Sequence, residues 1–141
     1  MEELIQGQQA TYVVFTKSNH WFFKYFFKRG YSHCYALIWD GYQIICFDKT
    51  ITNTFINTVE SYNGKVLMSP SDIFEYIAQD NDVTQVVCVN ADKLRKLYES
   101  SNTNFIVSFL RPNSCVEYVK DYLGMNTLKY WTPYKLFKYI T

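Results

Sequence analysis

Apolar positions along the chain recur with two different periods, and each period marks a class of element. Thr11–Thr16 (Thr-Tyr-Val-Val-Phe-Thr) is a short apolar run of strand length, which predicts a buried strand. Asn19–Arg29 follows as an aromatic-rich stretch ended by Gly30, the pattern of a helix with a glycine stop. Tyr31–Trp39 and Tyr42–Asp48 are strand-like runs separated by Asp40-Gly41, two residue types that tolerate the positive φ of a tight hairpin turn. Thr54–Glu60 predicts a third strand of this hairpin, Pro70–Gln79 a helix starting near Ser69 or Ser71, and Thr84–Asn90 another strand. Ala91–Glu99 adds a candidate helix, and the polar run Ser100–Asn104 a loop. Phe105–Leu110 is apolar enough for either a strand or a buried turn of helix. Ser114–Leu123 reads as a helix closed by Gly124, and Thr132-Pro133 opens a last one, with threonine as N-cap and proline at the first helical position.

Strands with short turns followed by separate helices give an α+β expectation: one antiparallel sheet packed with helices. The chain has 141 residues, 48% of them hydrophobic, enough for one core and too few for two, so residues 1–141 are expected to form a single domain. With 13 Tyr and 11 Phe there is more ring area than such a core easily hides, which points to self-association or to partner contacts through exposed aromatics. A formal net charge of +1 provides no global field for nucleic acid or an acidic membrane. Lys24 and Lys28, one helical turn apart among Trp21, Phe22, Phe23, Phe26 and Phe27, form the one local patch of that kind, and an amphipathic helix packed on a sheet produces the same pattern. Lys135 and Lys138 read as a solvated helix face. Neither a nucleic-acid nor a membrane partner is therefore expected. The Met1-Glu2-Glu3 start has no signal-peptide pattern and no apolar run approaches membrane-spanning length, so a cytoplasmic protein is expected. Cys34, Cys46, Cys88 and Cys115 have no C-x-x-C spacing, and His20 and His33 complete no zinc pattern, so no metal or other cofactor is expected and the thiols are read as free.

Chemistry enters through the hairpin. A two-residue turn at Asp40-Gly41 sets Trp39 against Tyr42 and His33 directly against Asp48, with Tyr35, Leu37, Ile44 and Cys46 on the same face. Directly opposed side chains lie close enough for an imidazole–carboxylate hydrogen bond, which fixes the tautomer of a base. A nucleophile is available in Pro112-Asn113-Ser114-Cys115-Val116-Glu117. Ser114 followed three residues later by Glu117 is a capping-box pattern, placing Cys115 at the first helical position, where unpaired amides and the helix dipole favour a thiolate. Taken singly, His33 has a plainer reading as a structural histidine and Cys115 as a small buried residue. Cys34, alternating away from His33, and Cys88, within Val86-Val87-Cys88-Val89, read as packing residues. Cys46 shares the His33 face but sits mid-strand, without amide donors for an oxyanion.

These residues resemble the circularly permuted branch of the papain-like amidases and peptidases, relatives of the NlpC-type hydrolases and the lecithin retinol acyltransferases, in which histidine precedes cysteine along the chain. The resemblance rests on Tyr31-Ser32-His33-Cys34 leading into a strand, on Phe47-Asp48, and on Asn113-Ser114-Cys115-Val116-Glu117-Tyr118-Val119-Lys120 opening a helix. Trp131-Thr132-Pro133-Tyr134 is similar to phage-encoded members. The resemblance implies a permuted papain-like fold, Cys115 as nucleophile, His33 as general base and Asp48 as its orienter, with Gln43 as the alternative third residue if the hairpin carries a bulge. It implies a thiol hydrolase or acyltransferase acting on an amide, peptide or ester. The other function compatible with the fold is a non-catalytic assembly protein, for instance a virion component of a phage.

Overall fold

A computed structural model describes residues 10–17, 27–49, 54–59, 61–62, 65–66, 70–90, 92–93, 95–96, 114–125 and 129–141. Among these, five strands form an antiparallel sheet: β1 (Ala10–Thr16), β2 (His33–Trp39), β3 (Ile44–Lys49), β4 (Thr54–Val59) and β7 (Val83–Val89), in the order β4-β3-β2-β1-β7. Two short strands, β5 (Ser61–Tyr62) and β6 (Lys65–Val66), pair separately. The described helices are α1 (Pro70–Ala78), α2 (Cys115–Tyr122) and α3 (Pro133–Ile140). The chain is thus an α+β domain in which helices cover both faces of the sheet, and no helix among the described residues is long and apolar enough to cross a membrane.

The central strand explains the layering. Every residue of β1 is buried because its two alternating rows pack against different helices. Tyr12 and Val14 join Leu37, Trp39 and Ile44 beneath Ile73 and Ile77 of α1. Val13 and Phe15 join Cys34, Val87 and Val89 beneath Val116, Val119 and Leu123 of α2 and Leu136 and Ile140 of α3. Burying both rows removes on the order of 25 cal/mol of unfavourable hydration for each Å² of apolar surface, which is why the strand reads as an unbroken apolar run rather than an alternating one.

Tyrosine contacts fix the direction of α2 over the sheet. Tyr118 and Tyr122 lie against the Phe47 ring at 5.6 and 5.5 Å between centroids. The Tyr122 hydroxyl is 3.3 Å from Thr11 Oγ1, and Thr11 pairs with Ile38 near the far end of β2. The C-terminal end of α2 therefore sits over the end of β2, and its N-terminus over the start, where His33 and Cys34 lie. Both ends of the helix are locally specified. Ser114 Oγ accepts the Glu117 N–H at 3.3 Å. At the other end Gly124, at φ +73°, lets the Gly124 and Met125 amides bond the Asp121 and Lys120 carbonyls, a Schellman stop. Thr132 caps α3 in the same way, accepting the Lys135 N–H, with Pro133 in the first turn.

Two expectations are corrected and others fall elsewhere. The hairpin turn is centred on Gly41-Tyr42 rather than Asp40-Gly41: Trp39 pairs with Ile44, and the Asp40 N–H bonds the Gln43 carbonyl. Asp40 takes the first position of the turn because its carboxylate then accepts the amides of Tyr42 and Gln43 at 2.8 and 2.9 Å, while Gly41 alone adopts a positive φ, +104°. Cys88, expected in the core, is exposed, because β7 is an edge strand and α1 covers that face only as far as Val86. Residues 19–26 of the first expected helix, the Phe105–Leu110 segment and Lys24 lie outside the described residues. Lys28 is described, and its ammonium sits 4.1 Å from the centre of the Tyr134 ring. Of Ala91–Glu99, the described residues 92–93 and 95–96 are helical, with Asn90 Oδ1 accepting the Lys93 N–H.

Candidate active site

Moving the turn by one residue moves the strand register by two, which leaves every side chain on its expected face but changes who stands opposite whom. The last ladder pair of β2 and β3 is Ala36–Phe47, so Asp48 continues opposite Tyr35 and not opposite His33. The expected direct cross-strand pair is therefore a diagonal one. A diagonal neighbour is farther away at Cβ, and an imidazole with a carboxylate is long enough to cover the difference. His33 Nε2 and Asp48 Oδ1 meet at 2.6 Å, with 26% and 27% of the two side chains exposed, so the pair is formed yet open to solvent. Gln43, the alternative partner, is excluded by the same register. It sits in the turn with its side-chain amide donating to Asp40, roughly 20 Å along the hairpin at ~3.3 Å per residue.

Cys115 comes to the histidine from the helix layer. It is the first residue of α2, half-buried against the core beneath that helix, and near enough to the Cys34 thiol and the His33 ring for both to act on its charge. Asp48 occupies Nε2, which leaves Nδ1 as the ring nitrogen available to a second partner. The electrostatics of the group favour charge separation. Cys115 is lowered from an ordinary 9.0 to about 5 by the Cys34 side-chain hydrogen bond first, against burial, and then by the hydrogen bond and charge of His33 and by the Cys34 amide. The His33 ring is opposed by burial, but its hydrogen bonds to Asp48 and Cys115 and their charges outweigh that and raise it from 6.5 to about 10. Between those values the favoured state is a thiolate beside an imidazolium.

The other thiols separate cleanly. Cys46 lies on the α1 face with Leu37 and Ile44, and burial, then the Asp48 charge, pushes it up to about 11. Cys34 is fully buried, as expected of a packing residue, and its thiol is raised well above 9.0, first by burial and then by its contacts with Cys115. Its partnership with Cys115 is the feature that sequence reasoning missed. The signal available was its position next to His33 in a strand, since alternation sends the neighbour of an edge histidine towards the helix layer.

A second polar group supports α2 from within. Lys120 is fully buried, and its ammonium donates to Glu117 Oε1 at 2.7 Å and to the Lys129 carbonyl at 2.8 Å. The Glu117 carboxylate pairs with Lys120 one turn along the helix, and its amide makes the Ser114 cap expected of the capping-box pattern. This ties the cysteine helix to the segment leading into α3. No protein-family model matches the chain, and neither a curated protein nor a solved structure matches it.

Proposed function

We propose that this chain is a cysteine-dependent hydrolase or acyltransferase acting on an amide, peptide or ester, built on a permuted papain-like arrangement in which the histidine strand precedes the cysteine helix. The observation that carries this reading is one chain of contacts: a capped helix start presents Cys115 to His33, and Asp48 holds the other nitrogen of that ring at 2.6 Å. In the proposed reaction the Cys115 thiolate adds to the acyl carbon, and a first-turn amide of α2, without an intrahelical partner, stabilises the oxyanion. His33, protonated at the start, gives its Nδ1 proton to the departing amine or alcohol, leaving a thioester on Cys115. The neutral ring then takes a proton from water or an acceptor alcohol or amine, which releases the acyl group and restores the thiolate–imidazolium pair. Asp48 keeps the ring oriented throughout.

A small activated ester, p-nitrophenyl acetate at about pH 5, where an ordinary thiol is almost wholly protonated, tests the reading without knowledge of the substrate. Acetyl-Cys115 is expected by peptide mass spectrometry after a short exposure, decaying with time, absent in Cys115→Ala and much slower to form in His33→Ala. Acetylation confined to lysines, or equal at Cys88 and Cys115, would sink it.

One observation favours a second reading, a non-catalytic assembly protein. Phe55 and Ile56 on the sheet-edge strand β4 are 42% and 55% exposed, an apolar stretch of edge of the kind that pairs with another chain. Under that reading Ile56→Lys lowers the assembly state in light scattering and the acetylation test is negative.

A further inference from the structure

The proposed reaction uses Cys115 but gives no covalent role to the buried thiol beside it. Cys34 has no exposed surface and lies in the cluster beneath Val116 and Val119, the same cluster against which Cys115 packs. Its neighbour is the one cysteine held at a helix start and beside a histidine; the other two are out of reach. Cys46 belongs to the cluster on the opposite face of the sheet. Cys88 stands opposite Tyr12 in the β1–β7 ladder, with β1 between it and β2. A thiol that is half-buried and favours its anion admits a small oxidant more readily than a bulky one, and what happens to it next depends on which group is nearest.

We propose that Cys115 and Cys34 are a modification site for hydroperoxides, closing to a reversible intramolecular disulfide that shields the nucleophile. The inference rests on the reading of Cys115 as a reactive thiol. The Cys115 thiolate attacks the terminal oxygen of the hydroperoxide. The O–O bond breaks, an S–O bond forms, and the alkoxide or hydroxide leaves with the proton carried by His33. Cys115 is then a sulfenic acid. Its sulfur, now electrophilic, is attacked by Cys34: an S–S bond forms, the S–O bond breaks, and water departs with the Cys34 proton. Two thiols lose two electrons and two protons, and the hydroperoxide becomes an alcohol, or water, plus water. A dithiol reductant reverses the change by thiol–disulfide exchange.

Burial of Cys34 gives this pairing its selectivity. A resolving thiol on the surface would compete with solvent thiols for the sulfenic acid, whereas one already in contact inside the core reacts before a second peroxide arrives. Without it the sulfenic acid has no neighbouring thiol and proceeds to the sulfinic acid, which dithiols do not reduce.

The full-length protein exposed to stoichiometric hydrogen peroxide is expected to lose the mass of two hydrogens. A peptide map is expected to join the Cys34 and Cys115 peptides, and dithiothreitol to restore alkylation of Cys115. In Cys34→Ala, and in Cys34→Ser as a second variant should the first fold poorly, a second equivalent of peroxide is expected to bring the addition to two oxygens on Cys115, which dithiothreitol does not remove. A sulfinic acid on Cys115 of the unsubstituted protein, or linkage to Cys46 or between two chains, overturns the inference while leaving Cys115 a nucleophile. A Cys115 inert both to peroxide and to iodoacetamide overturns the functional reading and this inference with it.

Discussion

Replacing His33 with alanine isolates what the histidine does to the thiol, and the structure sets the size of the effect and the pH at which it is visible. With Cys115 at about 5 against an ordinary 9.0, its thiolate fraction at pH 7 exceeds that of an ordinary thiol by about 100-fold. A less basic thiolate is also a weaker nucleophile: at a Brønsted slope of about 0.4–0.5 it attacks a disulfide roughly 40- to 100-fold more slowly. At neutral pH the two effects nearly cancel, and a rate measured there would reveal little. At pH 5 half of Cys115 remains ionised while an ordinary thiol is ionised to about one part in 10⁴, so the net advantage becomes on the order of 50- to 100-fold. The assay is a small aromatic disulfide followed by site-resolved mass spectrometry from pH 4 to 9, with exposed Cys88 in the same chain as the comparison. The unsubstituted protein should show a Cys115 rate that is flat above about pH 6 and falls only near pH 5. In His33→Ala the thiolate loses the hydrogen bond and charge of the ring, keeping the Cys34 donors against burial. The fall should move towards 9.0 and most of the pH 5 advantage should vanish. A Cys115 rate dropping about tenfold per pH unit from 8 to 5 in the unsubstituted protein, or a profile indifferent to His33→Ala, would refute the reasoning.

The same pair predicts how stability depends on pH. His33, raised from 6.5 to about 10, stabilises fully below 6.5 and loses that contribution as pH rises through 10, while Cys115, lowered from 9.0 to about 5, stabilises fully above 9.0 and loses it as pH falls through 5. Their slopes cancel from 6.5 to 9, so urea midpoints should be level there and fall on both sides; in Cys115→Ala the acid-side limb due to the thiolate should disappear. Asp48→Asn keeps an acceptor for His33 Nε2 but removes the negative charge, so the imidazolium should titrate lower by NMR and the Cys115 profile should move up, with Asp48→Ala moving it further. Lys120→Met strips the cation from a buried ion pair and leaves Glu117 in the interior, a loss of about 3–5 kcal/mol by urea unfolding; a loss below about 1 kcal/mol would mean the pair is not formed. Gly124→Ala forces a side chain into φ +73° at the α2 stop and should cost about 1–2 kcal/mol, whereas a neutral result would show that the Schellman geometry is dispensable.

Much of the local structure is written in adjacent residues, because caps, turns and strand periods depend on neighbours a few positions apart. Ser114 before Cys115, Gly124 after Leu123, Thr132-Pro133 and the apolar run of β1 each specify an element within a residue or two of where it lies. The grouping of His33, Asp48, Tyr35 and Cys46 by face also follows from the sequence, since the two-residue period of a strand survives a shift of register by two. The register itself does not. It was decided by Asp40, whose carboxylate reaches two backbone amides only from the first position of the turn, a preference that the Asp-Gly pair by itself leaves open.

What only the tertiary structure decided is which residues from distant parts of the chain touch. Cys115 meets His33 because Tyr118 and Tyr122 seat on Phe47 and the Tyr122 hydroxyl lies against Thr11, aiming the start of α2 at the start of β2. The second thiol and the buried Glu117–Lys120 pair belong to the same category. A cysteine in a strand and a lysine in a helix carry no sign in their immediate neighbours of what will cover them. The sequence by itself therefore determined the parts and the face each side chain occupies, through interactions a few residues long. The packing of one layer on another determined the site, because contact between chain segments some eighty residues apart depends on every side chain in the interface that joins them.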